Sequence, residues 1–264
     1  MGLLKFAGGR VFDPEHGVDG VVQDIFVRDG RIVAAPGSDA DIAQEIDCRG
    51  RIVMSGAIDM HTHIGGGKVN IARSMLPEDH RGDPLPRTPL TRSSCGYCAP
   101  GTLAAGYRYA EMGYTACFEP AVLPVNARQA HMEMGDTPIV DKGGYVMLGS
   151  DDFLLRMLAA RQDQRAINDY VAWTINAAQA IGVKVVNPGG ISAFKFNQRY
   201  LDLDEAHRYY QVTPRHILKV LAQAVHDLGV PHPLHVHASN LGLSLIHISE
   251  PTRRTPISYA VFCL

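Results

Sequence analysis

Residues 51–70, RIVMSGAIDMHTHIGGGKVN, decide how this chain is read. A largely apolar run leads into His61 and His63 and then into Gly65, Gly66 and Gly67. The run over 52–61 has the composition of a strand. Side chains two apart on a strand leave from the same face, so Asp59, His61 and His63 share a side. Two imidazoles so placed can grip one cation, and neutral imidazole suits zinc. The glycines carry no Cβ, which lets the backbone turn tightly and approach a bound substrate. Taken alone, a His-x-His pair is equally well explained by two solvated histidines at a strand end.

On the N-terminal side, 3–12, 24–35 and 46–54 are short β-like runs, and Arg28-Asp29-Gly30 has the chemistry of a tight hairpin turn. Residues 1–52 are therefore expected to form a small β-sandwich-like domain. On the C-terminal side strands and helices alternate over 53–242. Strands are expected at 52–61, 114–119, 145–149, 183–187 and 233–238, and helices at 102–112, 152–160, 164–181 and 213–228. The last helix is capped by Thr213, starts on Pro214 and stops at Gly229. Repeated strand and helix in parallel sense predict an α/β architecture. The connection over 64–100 is too long for an ordinary loop and reads as a lid or substrate loop, made locally basic by Lys68, Arg73, His80 and Arg81. Cys95-Gly-Tyr-Cys98 is a single CxxC without a second pair and reads as incidental. Trp173 has apolar neighbours at helical spacing and reads as core.

A second His-x-His, His235 and His237 in PLHVHASN, stands in another candidate strand. His237 is nearer the strand's C-terminal end, where barrel enzymes keep their chemistry, and ranks above His235 as a ligand. The other histidine would orient substrate or support a ligand from behind. Lys184, inside VKVVNPGG, is flanked by valines on a strand covered on both faces. Burial pushes a lysine toward the neutral amine, the form that reacts with carbon dioxide to give an anionic carbamate. The alternative is a lysine snorkelling to the rim, and Lys195, past the Asn187-to-Gly190 loop, is its weaker competitor. Glu119 is a candidate supporting carboxylate. Asn240 reads either as a substrate contact or as a turn-forming residue.

Composition narrows the function classes. The 264 residues are 46% hydrophobic, enough for one large and one small domain. A net charge of −2, from 25 basic and 27 acidic residues spread along the chain, leaves no footprint for nucleic acid or an anionic membrane. Five cysteines, an odd number, and no signal-peptide pattern point to a reducing cytoplasm. No apolar stretch approaches the roughly 20 residues of a membrane helix.

The words HTHIGGGKVNIAR, MLPEDH, YRYAEMGYTACFEPAV, DTPIVDKGG, GVKVVNPGGI and LHVHASNLG, in that order, resemble the A-subunit family of formylmethanofuran dehydrogenases, within the amidohydrolase superfamily. The opening, AGGRVFDPEHGVDG with DIFVRDGRIVAAP, looks most like the bacterial branch, the A subunits of formyltransferase/hydrolase complexes. The resemblance implies an incomplete amidohydrolase-type, TIM-like barrel, with about five of its eight strands present. It also implies one or two zinc ions on His61, His63, Lys184 and His237, with His235 beside them. Lys184 would be carboxylated, Lys184 and His237 would act in catalysis, and Lys68, Asn70, Arg73 and Asn240 would contact substrate. The substrate would be a formylated methanofuran-type coenzyme with an acidic oligoglutamate tail, and the partners other subunits of the complex. The reaction would be hydrolysis to formate and the free amine, or its reverse in a dehydrogenase. A metal-free scaffold is the contrasting class. After Gly242 the resemblance ends, and 243–264 read as a non-native tail. His247 is accordingly excluded as a ligand. The family's later metal-binding histidine and catalytic aspartate have no counterpart here.

Overall fold

The computed structural model describes residues 2–37, 39–81, 99–198 and 201–237. They form two compact units that divide between Ala57 and Ile58.

The first unit is built on β1 (Leu3–Asp13). β2 (Val18–Arg28) runs antiparallel to it, and β3 (Arg31–Val33) folds back on β2. The expected hairpin turn joins β2 to β3, with Asp29 and Gly30 at φ 51° and 75°, the positive values that a tight turn between twisted strands requires. The other edge of β1 is shared: β4 (Ile42–Asp47) runs parallel along Leu3–Ala7, and β5 (Ile52–Met54) along Arg10–Phe12. The result is one mixed five-stranded sheet rather than a sandwich. It also corrects the strand expected over 52–61. Residues 52–54 pair with β1, Ser55 and Gly56 interrupt, and only Ala57–Asp59 continues as β6.

The second unit contains a five-stranded sheet in the order β10-β9-β8-β7-β6, with β7 (Tyr114–Val122), β8 (Asp141–Met147), β9 (Gly182–Val186) and β10 (His235–His237) mutually parallel. All five expected strand regions are therefore occupied. Strand order equal to chain order, with helices between, is the sequential β/α pattern. The helices are α1 (Gly67–Met75), α2 (Pro77–Arg81), α3 (Thr102–Glu111), α4 (Ala127–Gly135), α5 (Asp152–Ala159), α6 (Gln164–Ala177), α7 (Gly190–Phe194) and α8 (Pro214–Asp227). The core lies where Val146, Leu148, Val183 and Val185 of the sheet region meet Leu154, Leu155, Ile167, Val171, Ile217 and Leu221 of α5, α6 and α8. The start of α8 follows its sequence signals, since the Thr213 hydroxyl accepts from His216 N–H and Pro214 opens the helix.

Three expectations change here. The stretch 64–100 contains α1 and α2, while 82–98, with Cys95 and Cys98, lies outside the described residues. α6 ends at Ala177, short of 181. Trp173 is 64% exposed and stacks on Tyr170 with ring centroids 6.3 Å apart. Its helix buries the stripe of Ile167, Val171 and Thr174, and Trp173 lies off that stripe.

Candidate metal centre

His61 and His63 follow β6 instead of lying on it, so strand alternation is not what aims them. Hydrogen bonds from neighbouring elements do. The Asp59 carboxylate, nearly buried, accepts from His61 N–H at 3.0 Å and from the Tyr109 hydroxyl of α3 at 3.2 Å. Glu119, on β7 and 1% exposed, accepts from His63 Nδ1 at 2.8 Å and from the backbone N–H groups of Ile64, Gly65 and Ala121 at 3.0, 3.4 and 3.1 Å. With the proton on Nδ1, the Nε2 lone pair of His63 stays free to bind.

Glu133 of α4 takes over where Glu119 leaves off. It accepts from Gly66 N–H at 2.9 Å, from the Asn70 amide at 2.5 Å and from the Arg73 guanidinium at 3.3 Å. The segment from His63 to Gly66 thus hangs between two carboxylates. Its glycines answer to α4: a Cβ at Gly65 would come within 3.2 Å of Glu133, one at Gly66 within 3.1 Å of Ala130, and Gly66 has φ 91°. The expected tight turn is present, and the glycines also let this turn pack closely against α4. Glu133, which sequence reasoning missed, carried no signal beyond one acidic residue on a short helix.

Lys184 lies on β9 and is 1% exposed. It pairs in register with His235 on β10, so the two side chains share the inner face. Burial, opposed only by the charge of Glu119, pulls the Lys184 amine down to about 7. His61 Nδ1 lies 3.2 Å from His235 Nε2 and 3.4 Å from Lys184 Nζ. Burial first, then the charges of Lys184 and the neighbouring imidazoles, lowers His61 to about 4 and His235 to about 3. His237 is lowered too, by burial and by Lys184 and His63. The ring of His237 lies 5.2 Å from that of His61, and the ring of His63 5.6 Å from it. Tyr145 of β8 meets His235 edge-on at 5.0 Å.

This is a set of neutral nitrogen donors crowded where protons are disfavoured. Two nitrogens bound to one zinc at tetrahedral angles are roughly 3.3–3.4 Å apart, so the observed spacings fit a shared cation. Among the described residues no three His, Cys, Asp or Glu side chains converge as a metal cluster. The convergence here is of two imidazoles and an amine. Lys195 is removed from contention, being on the surface in an ion pair with Asp152 at 2.5 Å. Lys68 is exposed on α1. Asn240 and the residues 243–264 lie outside the described residues, and so do the side chains of His80 and Arg81.

Comparison with known proteins gives the family. The chain is 41% identical over 241 residues to the A subunit of the formyltransferase/hydrolase complex Fhc of Methylorubrum extorquens, covering 91% of this chain and 43% of that protein. It is 40% identical over 234 residues to Protein FwdA of Methanocaldococcus jannaschii, covering 89% and 40%. The crystal structure of the FhcABCD complex from Methylorubrum extorquens with methylofuran superimposes with a TM-score of 0.81 at 40% identity, over 90% of this chain and 43% of that one. The chain therefore spans less than half the length of the relatives it matches. The amidohydrolase family pattern matches residues 44–255, which includes part of the stretch read as non-native. With that pattern over most of its length and an amidohydrolase fold around the histidines, the chain belongs to the amidohydrolase family.

Proposed function

We propose that this chain is the N-terminal part of a zinc-dependent amidohydrolase subunit with an incomplete TIM-like barrel. It would interconvert an N-formylated methanofuran-type coenzyme with formate and the free amine, in the hydrolytic direction, inside a cytoplasmic formyltransferase/hydrolase complex. The observation that carries this reading is the meeting of His61, His235 and Lys184 in a chain 41% identical to the Fhc protein of Methylorubrum extorquens. The 40% identity to FwdA favours a second reading, the corresponding component of a dehydrogenase, which condenses formate with the amine. A metal-free scaffold is disfavoured, because burial holds the proton off His61 and His235 and weakens its hold on Lys184, which leaves nitrogen lone pairs crowded together for a cation to use. No helix among the described residues is long and apolar enough to cross a membrane.

His61, His63, Lys184 and His237, with His235 beside them, would hold one or two zinc ions. When bound, the metal supplies Lewis acidity toward the formyl oxygen and an activated water. The residues themselves do the rest. Lys184 is poised near neutral pH to lose its proton, and its free amine can add carbon dioxide, forming an N–C bond and releasing a proton to solvent. The resulting carbamate would offer two anionic oxygens to cations on either side. Glu119 keeps the His63 proton on Nδ1, and Asp59 holds the His61 backbone. Lys68, Asn70, Arg73 and Asn240 would meet the coenzyme, with Glu133 bracing Asn70 and Arg73 from behind.

The test is metal content and turnover together. The chain should copurify with zinc, and His61→Ala with His63→Ala should remove most of it. The assembled complex should release formate from the formylated coenzyme. Full zinc stoichiometry in the double variant would defeat the assignment of the site, and zinc without formate release would defeat the assignment of the reaction.

A further inference from the structure

The N-terminal sheet carries a second feature that the hydrolytic site does not use. A groove of about 320 Å³ is lined by Arg10, Arg49 and Arg51, by the exposed Val22 and Ile52, and by Gly8 and Gly50. Arg10 is paired in register with Val22 on one side and Ile52 on the other, so the three side chains form one row across β2, β1 and β5. Val22 and Ile52 are 62% and 64% exposed, an unusual pair of apolar residues to leave beside a guanidinium. The turn that brings Arg49 and Arg51 alongside is closed by Arg51 N–H donating to Cys48 C=O at 2.9 Å.

Charge at this place is unbalanced. Residues 1–57 hold six basic and nine acidic side chains, so an arginine here has acids to choose from. Three of these acids are already engaged. Lys5 takes Asp24 and Glu45 at 3.2 and 3.3 Å, and Asp47 chelates Arg49 through 2.9 and 2.8 Å bonds. Arg10 and Arg51 form no side-chain ion pair among the described residues. Two guanidinium groups with free forks are matched by carboxylates, which they bind bidentately.

We propose that this groove docks an acidic, extended segment of another polypeptide, one that sets a carboxylate next to an aliphatic side chain. The carboxylates pair with Arg10 and Arg51, and the aliphatic group covers Val22 and Ile52. A free inorganic anion would satisfy the arginines and leave both apolar side chains in water, which is why a peptide is the better match. The proposal rests on the functional reading above only for the source of the segment, another protein of the same complex.

The experiment uses a fluorescent peptide of alternating glutamate and leucine, titrated onto the full chain and followed by anisotropy, with an alternating lysine and leucine peptide as control. The acidic peptide should bind, and Arg10→Glu with Arg51→Glu should weaken it at least tenfold. Val22→Ser with Ile52→Ser should weaken it severalfold with all charges kept. Circular dichroism checks the fold, and Arg10→Gln with Arg51→Gln replaces the charge reversal should that variant misfold. Equal affinity in the arginine variants, binding of both peptides alike, or full displacement by inorganic phosphate at the peptide's own concentration would overturn the proposal. Zinc content should be the same in all these variants. The docking surface and the hydrolytic site can therefore fail independently.

Discussion

At the scale of single residues, Lys184 is where burial and charge are most opposed. In the folded protein its pKa is about 7, against an ordinary value of 10.5. Between those values the unfolded chain binds a proton that the folded chain does not, so stability rises with pH across that window. Below about pH 7 both states are protonated and the full cost, up to about 5 kcal/mol, is present. Lys184→Met removes the amine at similar volume. In chelator-treated protein it should raise the urea midpoint at pH 6.5, with the gain shrinking toward pH 10.5 and vanishing above it. An unchanged midpoint at pH 6.5 would mean that the amine reaches water. Glu119 has the opposite sign. Glu119→Ala leaves Ile64, Gly65 and Ala121 N–H groups without their acceptor in a buried place. The expected loss is about 2–4 kcal/mol in denaturant unfolding.

Elements are held at spacings that their small residues dictate, and two glycines in helices separate packing from propensity. A Cβ at Gly106 of α3 would lie 2.4 Å from the Pro138 carbonyl oxygen and 2.5 Å from its ring. Alanine there gains about 1 kcal/mol of helix propensity but forces α3 off its neighbour at a cost of about 1–3 kcal/mol or more. With backbone as the obstacle the cost wins, and Gly106→Ala should lower the melting temperature. Gly135, at the end of α4, has nothing within 4 Å of a Cβ. Gly135→Ala should be neutral or stabilising by up to about 1 kcal/mol. Matching signs for the two substitutions in a thermal melt would contradict the packing described for α3.

For the sheet of the second unit as a whole, the informative fact is the meeting of its two ends. β6 and β10 are the outer strands, which in a flat sheet would be about 19 Å apart at about 4.8 Å per strand. Yet His61, just beyond β6, reaches His235 on β10 at 3.2 Å. The sheet must curl, and a cation shared by these residues would tie its first and last strands together. Zinc at 100 times its dissociation constant should then add about 2.7 kcal/mol. For a chain of this size that is a rise of roughly 5–10 °C in melting temperature. The same titration on the His61→Ala, His63→Ala variant should show no rise, and an equal rise there would place the cation elsewhere.

The sequence by itself determined the class of the fold and singled out candidate donors. Strand and helix periodicity, the Asp29-Gly30 turn and the Thr213-Pro214 cap are local properties of a few neighbouring residues, and all reappear in the structure. Lys184 among valines, and the two His-x-His pairs, stood out because a charged or ligating side chain is uncommon in an apolar run. What the sequence could not decide depends on contacts between distant residues. The division of 52–59 between two sheets follows from Arg10 and Phe12 lying alongside Ile52 and Met54. The exposure of Trp173 follows from which face of α6 meets the core. The meaning of the triglycine came from α4, more than sixty residues away, and its anchor at Glu133 from hydrogen bonds that no spacing encodes. Only the curled sheet brings His61 to His235 and Lys184, because residues 174 positions apart meet through the curvature of every strand between them.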